Sequence, residues 1–258
     1  MQKKYINLLV MVICSLALAS CKKELTFKPS GASSLTIVDG VVGNGFMYTN
    51  FNGVNKPKGV SYWFMSVVNY GSSAYFDYYS GQQKLGLFQD FDTTATSKPL
   101  YNLTLNLPVN TIHTLFLMGT PQAPDQLFTT DLLPYHPVSD STMGIRFVNI
   151  AQGSDPVSVN LAGQANGSEA DGLAYKGITP FKNYSARSAI SSYTFEFRDK
   201  ATGALLGSCV IDGVNNDGSQ NSPNLVRNRN FTIAFLGASG GQAPDRGLLI
   251  SEDQSASY

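Results

Sequence analysis

Apolar and polar positions alternate along this chain in short runs, and each run is cut off by glycine, asparagine or proline before a helical period can establish itself. In the first half the runs fall at 35–42, 46–52, 62–68, 74–79, 84–90, 100–106 and 111–118. They are separated by Gly43-Asn44-Gly45, a Pro57-bearing stretch at 55–59, Gly71-Ser72-Ser73, Gly81-Gln82 and Pro108-Val109-Asn110. A second set follows at 145–150, 157–161, 173–175, 191–198, 204–211 and 231–236. No window keeps helical spacing for about ten residues. The spacing therefore predicts an all-β chain of short antiparallel strands packed as sandwiches.

The two sets are copies of one another. Ser34 to Gly53, SLTIVDGVVGNGFMYTNFNG, aligns without a gap on Gly144 to Gly163, GIRFVNIAQGSDPVSVNLAG. Val38 falls on Val148, Gly43 on Gly153, Asn50 on Asn160 and Gly53 on Gly163, while Leu35/Ile145, Ile37/Phe147 and Asp39/Asn149 keep residue character. The far ends match as well: Thr114 to Gly119 leads to Gln122-Ala123-Pro124-Asp125, and Thr232 to Gly237 leads to Gln242-Ala243-Pro244-Asp245. A repeat of this length is a domain used twice, not a solenoid turn. The spacing assigns a first domain to 34–130, a linker to 131–143 with two prolines, and a second domain to 144–254.

The first twenty residues belong to neither copy. Lys3 and Lys4 precede a mostly apolar run at 6–18, and Leu18-Ala19-Ser20-Cys21 resembles a lipobox. Small residues at Ala19 and Ser20 suit a lipoprotein signal peptidase, and the Cys21 thiol is the nucleophile that accepts a diacylglyceryl group. Residues 1–20 are thus expected to be a signal peptide and 21–33 a lipid-anchored tether, with Cys21 as the anchor. Each buried acyl methylene contributes about 0.8 kcal/mol, so two or more chains hold a protein on a membrane nearly permanently.

Processing alters the charge that matters. The full chain carries 18 basic and 18 acidic residues; loss of Lys3 and Lys4 leaves 16 against 18. A balance that close to neutral provides no field for nucleic acid. The low charged fraction of 14% beside 11% aromatics fits an exported β protein better than a cytosolic helical one. Of three cysteines, Cys14 leaves with the signal and Cys21 is lipidated, so Cys209 stands alone and no intrachain disulfide forms. Its setting, Leu205-Leu206-Gly207-Ser208-Cys209-Val210-Ile211, predicts a buried strand thiol.

The opening strand with its small-polar turn, the spacing of Val157, Val159 and Gly163, and the closing run Phe231 to Gly237 together resemble Bacteroidetes lipoproteins carrying domain of unknown function 4397. The likeness covers nearly all of the mature chain and is strongest from 144 to 237. It departs in the first copy, where Gly45-Phe46 stands in place of Asp155-Pro156. The resemblance implies two tandem immunoglobulin-like β-sandwiches and brings no catalytic residues with it. In such lipoproteins, acidic residues just after the cysteine accompany export to the cell surface, a pattern that Lys22-Lys23-Glu24 matches in part.

Candidate chemistry is sparse. Gly237-Ala238-Ser239-Gly240-Gly241 has the spacing of a serine-hydrolase elbow, but no histidine follows it, and His113 and His136 both lie upstream. The stretch from Asp212 to Gly218 is rich in Asn, Asp and Gly, yet Gly213 stands where a calcium loop needs its first carboxylate and Asn224 where it needs a glutamate. Turn formation accounts for the same residues. No catalytic residue, metal ligand or cofactor is expected. The strongest anomaly is aromatic: Tyr62, Trp63, Phe64, Tyr70, Tyr75, Phe76, Tyr78 and Tyr79 crowd into eighteen positions that include the single tryptophan. Strand alternation puts Tyr75, Asp77 and Tyr79 on one side and Phe76 and Tyr78 on the other. Core filling is the simpler account of these rings; sugar stacking is the functional one, with Tyr62, Trp63, Tyr75, Tyr78 and Tyr79 as the candidate ligand-binding residues.

The sequence therefore predicts a non-enzymatic, lipid-anchored cell-envelope protein, at the outer membrane, serving as a surface binding module for a glycan or another envelope protein. The alternative is a structural stalk or assembly subunit whose strand edges pair with a neighbour. Its expected partners are the membrane, through acylated Cys21, and that ligand, with no nucleic acid.

Overall fold

The computed structural model describes residues 31–55, 67–89, 96–237 and 248–253, the last as backbone only. Among the described residues there are sixteen strands and no helix. In chain order they are β1 Ala32–Asp39, β2 Phe46–Asn50, β3 Val67–Asn69, β4 Ser72–Tyr79, β5 Gly81–Gln89, β6 Tyr101–Leu107, β7 Ile112–Thr120 and β8 Ala123–Asp131. The second set is β9 Thr142–Asn149, β10 Val157–Leu161, β11 Ala170–Leu173, β12 Lys182–Ser185, β13 Ser192–Asp199, β14 Leu205–Asp212, β15 Asn230–Phe235 and β16 Leu248–Asp253.

The sequence repeat is a repeat of topology. The first eight strands form sheets ordered β3-β2-β5-β6 and β4-β1-β7-β8; the second eight form β11-β10-β13-β14 and β12-β9-β15-β16. Each strand has its counterpart eight places later. Register agrees too: β1 and β7 run parallel with Ser34 opposite Ile112 and Thr36 opposite Thr114, and β9 and β15 run parallel with Gly144 opposite Asn230 and Arg146 opposite Thr232. The remaining ladders are antiparallel.

The residues held in common are the ones that turn the chain. The side chain of Asp39 accepts a bond from the Val41 amide at 2.9 Å, and that of Asn149 accepts one from Ala151 at 3.1 Å, so one Asx turn ends the first strand of each copy. The matched glycines Gly53 and Gly163 lie at φ of 65° and 80°, a region costly for any residue with a Cβ.

Each sandwich has its own core. Leu35, Ile37, Leu85, Leu87, Leu115 and Leu117 are buried in the first, and Phe147, Val159, Phe195, Phe197, Ile233 and Phe235 in the second. A third cluster lies on the opposite faces of the same central strands: Val38, Phe116 and Met118 from the first copy meet Val148, Ile150, Ala234 and Leu236 from the second. The sheet β4-β1-β7-β8 thus packs outward on β12-β9-β15-β16. This explains why β7, β9 and β15 are buried almost throughout instead of at alternate positions. At about 1.5–3 kcal/mol per large apolar side chain, a seam of this size resists independent motion of the two sandwiches. The approach is close at Gly40, where an added Cβ would lie 2.7 Å from the Ile150 methyl and 3.1 Å from the Leu117 carbonyl oxygen.

The seam also holds a buried ion pair. Arg146 Nη1 donates to Asp131 Oδ1 at 2.6 Å and Nε to the Thr232 hydroxyl at 2.8 Å, with its guanidinium carbon 4.7 Å from the centre of the Phe181 ring. The hydroxyls of Thr114 and Thr129 donate to the same Asp131 carboxylate at 2.6 and 2.8 Å. Farther along the seam, Lys176 Nζ and the Tyr175 hydroxyl donate to Asp125 at 2.6 and 2.9 Å and hold its carboxyl below the usual carboxylate range against the opposing effect of burial.

Three strands fall outside the predicted runs. β8, β12 and β16 are each an outer strand of its four-stranded sheet. The expected strand at 62–68 lies mostly outside the described residues, and the one at 173–175 is displaced to Ala170–Leu173.

Candidate functional site

Strand β4 alternates as its sequence requires. Phe76 and Tyr78 turn inward, where both meet Phe51: ring centres are 5.2 Å apart for Phe76 and 4.2 Å apart, nearly parallel, for Tyr78. Burial, with a smaller contribution from Tyr79, raises the Tyr78 phenol above its ordinary range. Tyr78 is thus partly buried and packs against the first core. Tyr75 and Tyr79 turn outward and are 41% and 53% exposed, with Asp77 between them accepting a 2.7 Å bond from the Ser34 hydroxyl. Tyr62 and Trp63 lie outside the described residues, as does Cys21.

On the same outward face, at the end of the seam where β1 and β7 begin, lies a cleft of about 610 Å³. Ile112 and Asp131 contribute to its floor, and the connection at 132–141 supplies a wall through Leu132, Tyr135 and Val138. Pro134 and Pro137 keep this connection out of either sheet, and polar side chains tether it to the second sandwich. Asn230 Nδ2 donates to the Pro134 carbonyl at 3.0 Å while its Oδ1 sits 3.0 Å from His136 Nε2; the other ring nitrogen of His136 lies 2.9 Å from the Thr142 hydroxyl. Gly144 leaves room for this cluster, since a Cβ there would come within 2.1 Å of Asn230 Oδ1.

The charge beneath the cleft is already matched, because Asp131 is bound to Arg146. What the cleft offers is apolar: Leu132, Tyr135 and Val138 are 88%, 82% and 83% exposed. The linker was the missed element of the sequence. Its signal was there in Asp131-Leu132-Leu133-Pro134-Tyr135-His136-Pro137-Val138, a connection carrying four large apolar residues that joins no strand.

The remaining candidates occupy structural roles. His113 is buried between Thr111 and Thr129, with its ring stacked on Phe128 at 4.9 Å. His136 is held as described above. Cys209 is buried, and desolvation pushes its thiol up to about 12, which keeps it protonated and unreactive at neutral pH. In the long loop after β14 the polar side chains bind their own backbone: Asn224 Nδ2 donates to the carbonyls of Val214 and Asn216, and its Oδ1 accepts from the amides of Val226 and Arg227. Asp217 accepts from the Ser219 amide at 2.8 Å. These are turn contacts, and among the described residues no three His, Cys, Asp or Glu side chains gather as metal ligands would. Ser239 lies outside the described residues.

Compared with known proteins, the chain matches no family model and no curated sequence.

Proposed function

We propose that this chain is a non-enzymatic, lipid-anchored protein of the cell envelope, of the Bacteroidetes type with tandem immunoglobulin-like domains, in which two fused sandwiches act as a rigid stalk. The observation that carries this reading is the seam. Tandem domains move relative to one another unless their interface is large and hydrophobic; here the central strands of both copies are buried on both faces and bridged by Arg146 and Asp131. The lipobox at 18–21 supports the anchor and an outer-membrane location.

The test has two parts. Radiolabelled palmitate should enter the wild-type chain but not Cys21→Ala, which should keep residues 1–20 uncleaved and run as the larger precursor. Calorimetry of the purified protein should give one unfolding transition for both sandwiches. Two well-separated transitions would sink the stalk reading.

A second reading, a binding module for a glycan or another envelope protein, is favoured by Tyr75 and Tyr79, two outward tyrosines flanking Asp77 on an outer strand. Loss of polysaccharide binding in Tyr75→Ala/Tyr79→Ala, with unchanged melting, would support it.

A further inference from the structure

The described chain enters its first strand at one particular end of the molecule. The Gly31 carbonyl accepts from the Ser80 amide at 2.8 Å, the Ala32 carbonyl accepts from Asn110 at 3.0 Å, and Gly31 rests against the Val109 side chain. This is the end where β1 and β7 begin and β4 and β8 finish, and the parallel register of β9 with β15 brings the start of β15 beside it through Asn230.

Large apolar side chains are concentrated there. Tyr79 and Val109 are each 53% exposed, and beside them stand Leu132, Tyr135 and Val138 at more than four-fifths exposure. Leu225, 60% exposed, lies on the loop that returns to this end before β15. The opposite end presents Leu205 at the start of β14. Contiguous exposed apolar residues on one face mark an interaction surface.

The position of the anchor specifies the partner. Cys21 precedes Gly31 by ten residue steps, which span at most roughly 35 Å when fully extended. The tether joins the fold at this end, so an acylated Cys21 keeps it within that distance of the bilayer, with the Leu205 end a strand length farther from the attachment point. Aliphatic side chains accompanied by tyrosine suit the interface between headgroups and acyl chains, where an aromatic ring buries its body and keeps its hydroxyl wet.

We infer that the end formed by Val109, Leu132, Tyr135 and Val138 docks on the lipid surface of the membrane that carries the anchor, so that the two sandwiches stand on the bilayer instead of swinging from a tether. This rests on the lipid-anchor reading of Cys21. The occupant is the leaflet itself, recognised through apolar contact.

The test uses the full-length chain in its native envelope, with Val138 replaced by the photo-crosslinker benzoylphenylalanine and, in a second strain, Leu205 replaced in the same way. Illumination should give phospholipid adducts, read as a mass increase, at position 138 and none at 205. An adduct to a second copy or to another protein at position 138, or no adduct there, would overturn the inference. Acylation is read separately by palmitate incorporation, so loss of the anchor and loss of docking are distinguished. As a second measurement, the mature chain from residue 22 onward, which has neither signal peptide nor acyl group, should partition weakly onto vesicles of phosphatidylethanolamine and phosphatidylglycerol. Adding Leu132→Asn, Tyr135→Asn and Val138→Asn should lower that partition by at least about tenfold. These side chains are too exposed to support the fold, so an unchanged partition would count directly against docking.

Discussion

The two sandwiches share a topology, a register and a set of turns, but they are filled differently. Where the first core has Ile37, Leu85, Leu87 and Leu117, the second has Phe147, Phe195, Phe197 and Phe235 at the corresponding positions. The phenylalanines engage one another as rings: Phe147 lies edge-on to Phe195 at 5.1 Å, and Phe197 stacks on Phe235 at 5.3 Å. Volume on the inner face is thus met by leucine in one copy and by aromatic geometry in the other. The fold tolerates that exchange because pairing register and turn geometry are set elsewhere, by Asp39/Asn149, Asn50/Asn160 and the paired glycines.

The largest effects should come from emptying either core. Phe197→Ala should cost about 3–5 kcal/mol and the equivalent Leu87→Ala about 2–5 kcal/mol, measured by urea unfolding. Because the seam joins the sandwiches, each variant should shift one common transition. A variant that melted one core and left the other at its wild-type midpoint would break the equivalence of the two.

Next is the residue that differs most between the copies. Thr36 in the first is replaced by Arg146 in the second, and only the latter reaches across the seam. Arg146→Ala leaves the Asp131 carboxylate buried without its counterion, and about 3–5 kcal/mol should be lost. Arg146→Met combined with Asp131→Leu should recover most of that loss, since removing both charges removes the desolvation cost as well. If the double variant is no better than the single, the pair contributes more than mutual neutralisation.

The Asx turns give a pH-dependent contrast. Asn149 has both ends of its amide occupied, its Nδ2 donating to the Ser154 hydroxyl and the Leu173 carbonyl and its Oδ1 accepting from the Ala151 amide. Asp39 has one carboxylate oxygen without a partner, and burial pushes its pKa up to about 7 from 3.8. The folded state therefore holds a proton that the unfolded state has released between about pH 4 and 7. Stability contributed by this group is present in full below the unfolded value and falls as pH rises through that window, by up to about 4 kcal/mol. Asp39→Asn should flatten this part of the stability profile, and Asn149→Asp should introduce a similar slope into the second copy.

The smallest effects concern the glycines. Gly163 has open space where its Cβ would be, so Gly163→Ala should cost only the left-handed backbone, about 1–2 kcal/mol. Gly53→Ala should cost slightly more, because its Cβ would also lie 3.3 Å from that of Lys84. Equal losses would mean that Lys84 gives way freely.

Much of this architecture was legible. The gapless match of 34–53 on 144–163 predicted a duplicated unit, and alternation predicted which face of β4 each aromatic takes. The edges were harder. β8 opens with Ala-Pro-Asp, residues that read as a turn because Pro124 cannot donate to a ladder, a defect that an outer strand tolerates. β12 is only Lys182–Ser185 and too short for its alternation to register. The seam left a trace that alternation alone does not interpret. Leu115-Phe116-Leu117-Met118 and Ile233-Ala234-Phe235-Leu236 are continuous apolar runs, as strands covered on both faces should be, and Arg146 is a single charge within another such strand. The cleft was hidden because the linker's apolar residues follow no period at all.

The parallel pairing of β1 with β7 imposes an order on assembly. The first strand can pair early with β4, but its other edge stays open until residues 112–120 are available, and β9, paired with β12, waits in the same way for β15. Both closures join segments nearly eighty residues or more apart in the chain, contacts that make folding slow and leave two doubly apolar strands uncovered meanwhile. A chain delivered from its N-terminus can finish the first sandwich alone. The second then meets a ready-made apolar wall, so that the earlier copy serves as the template against which the later one closes.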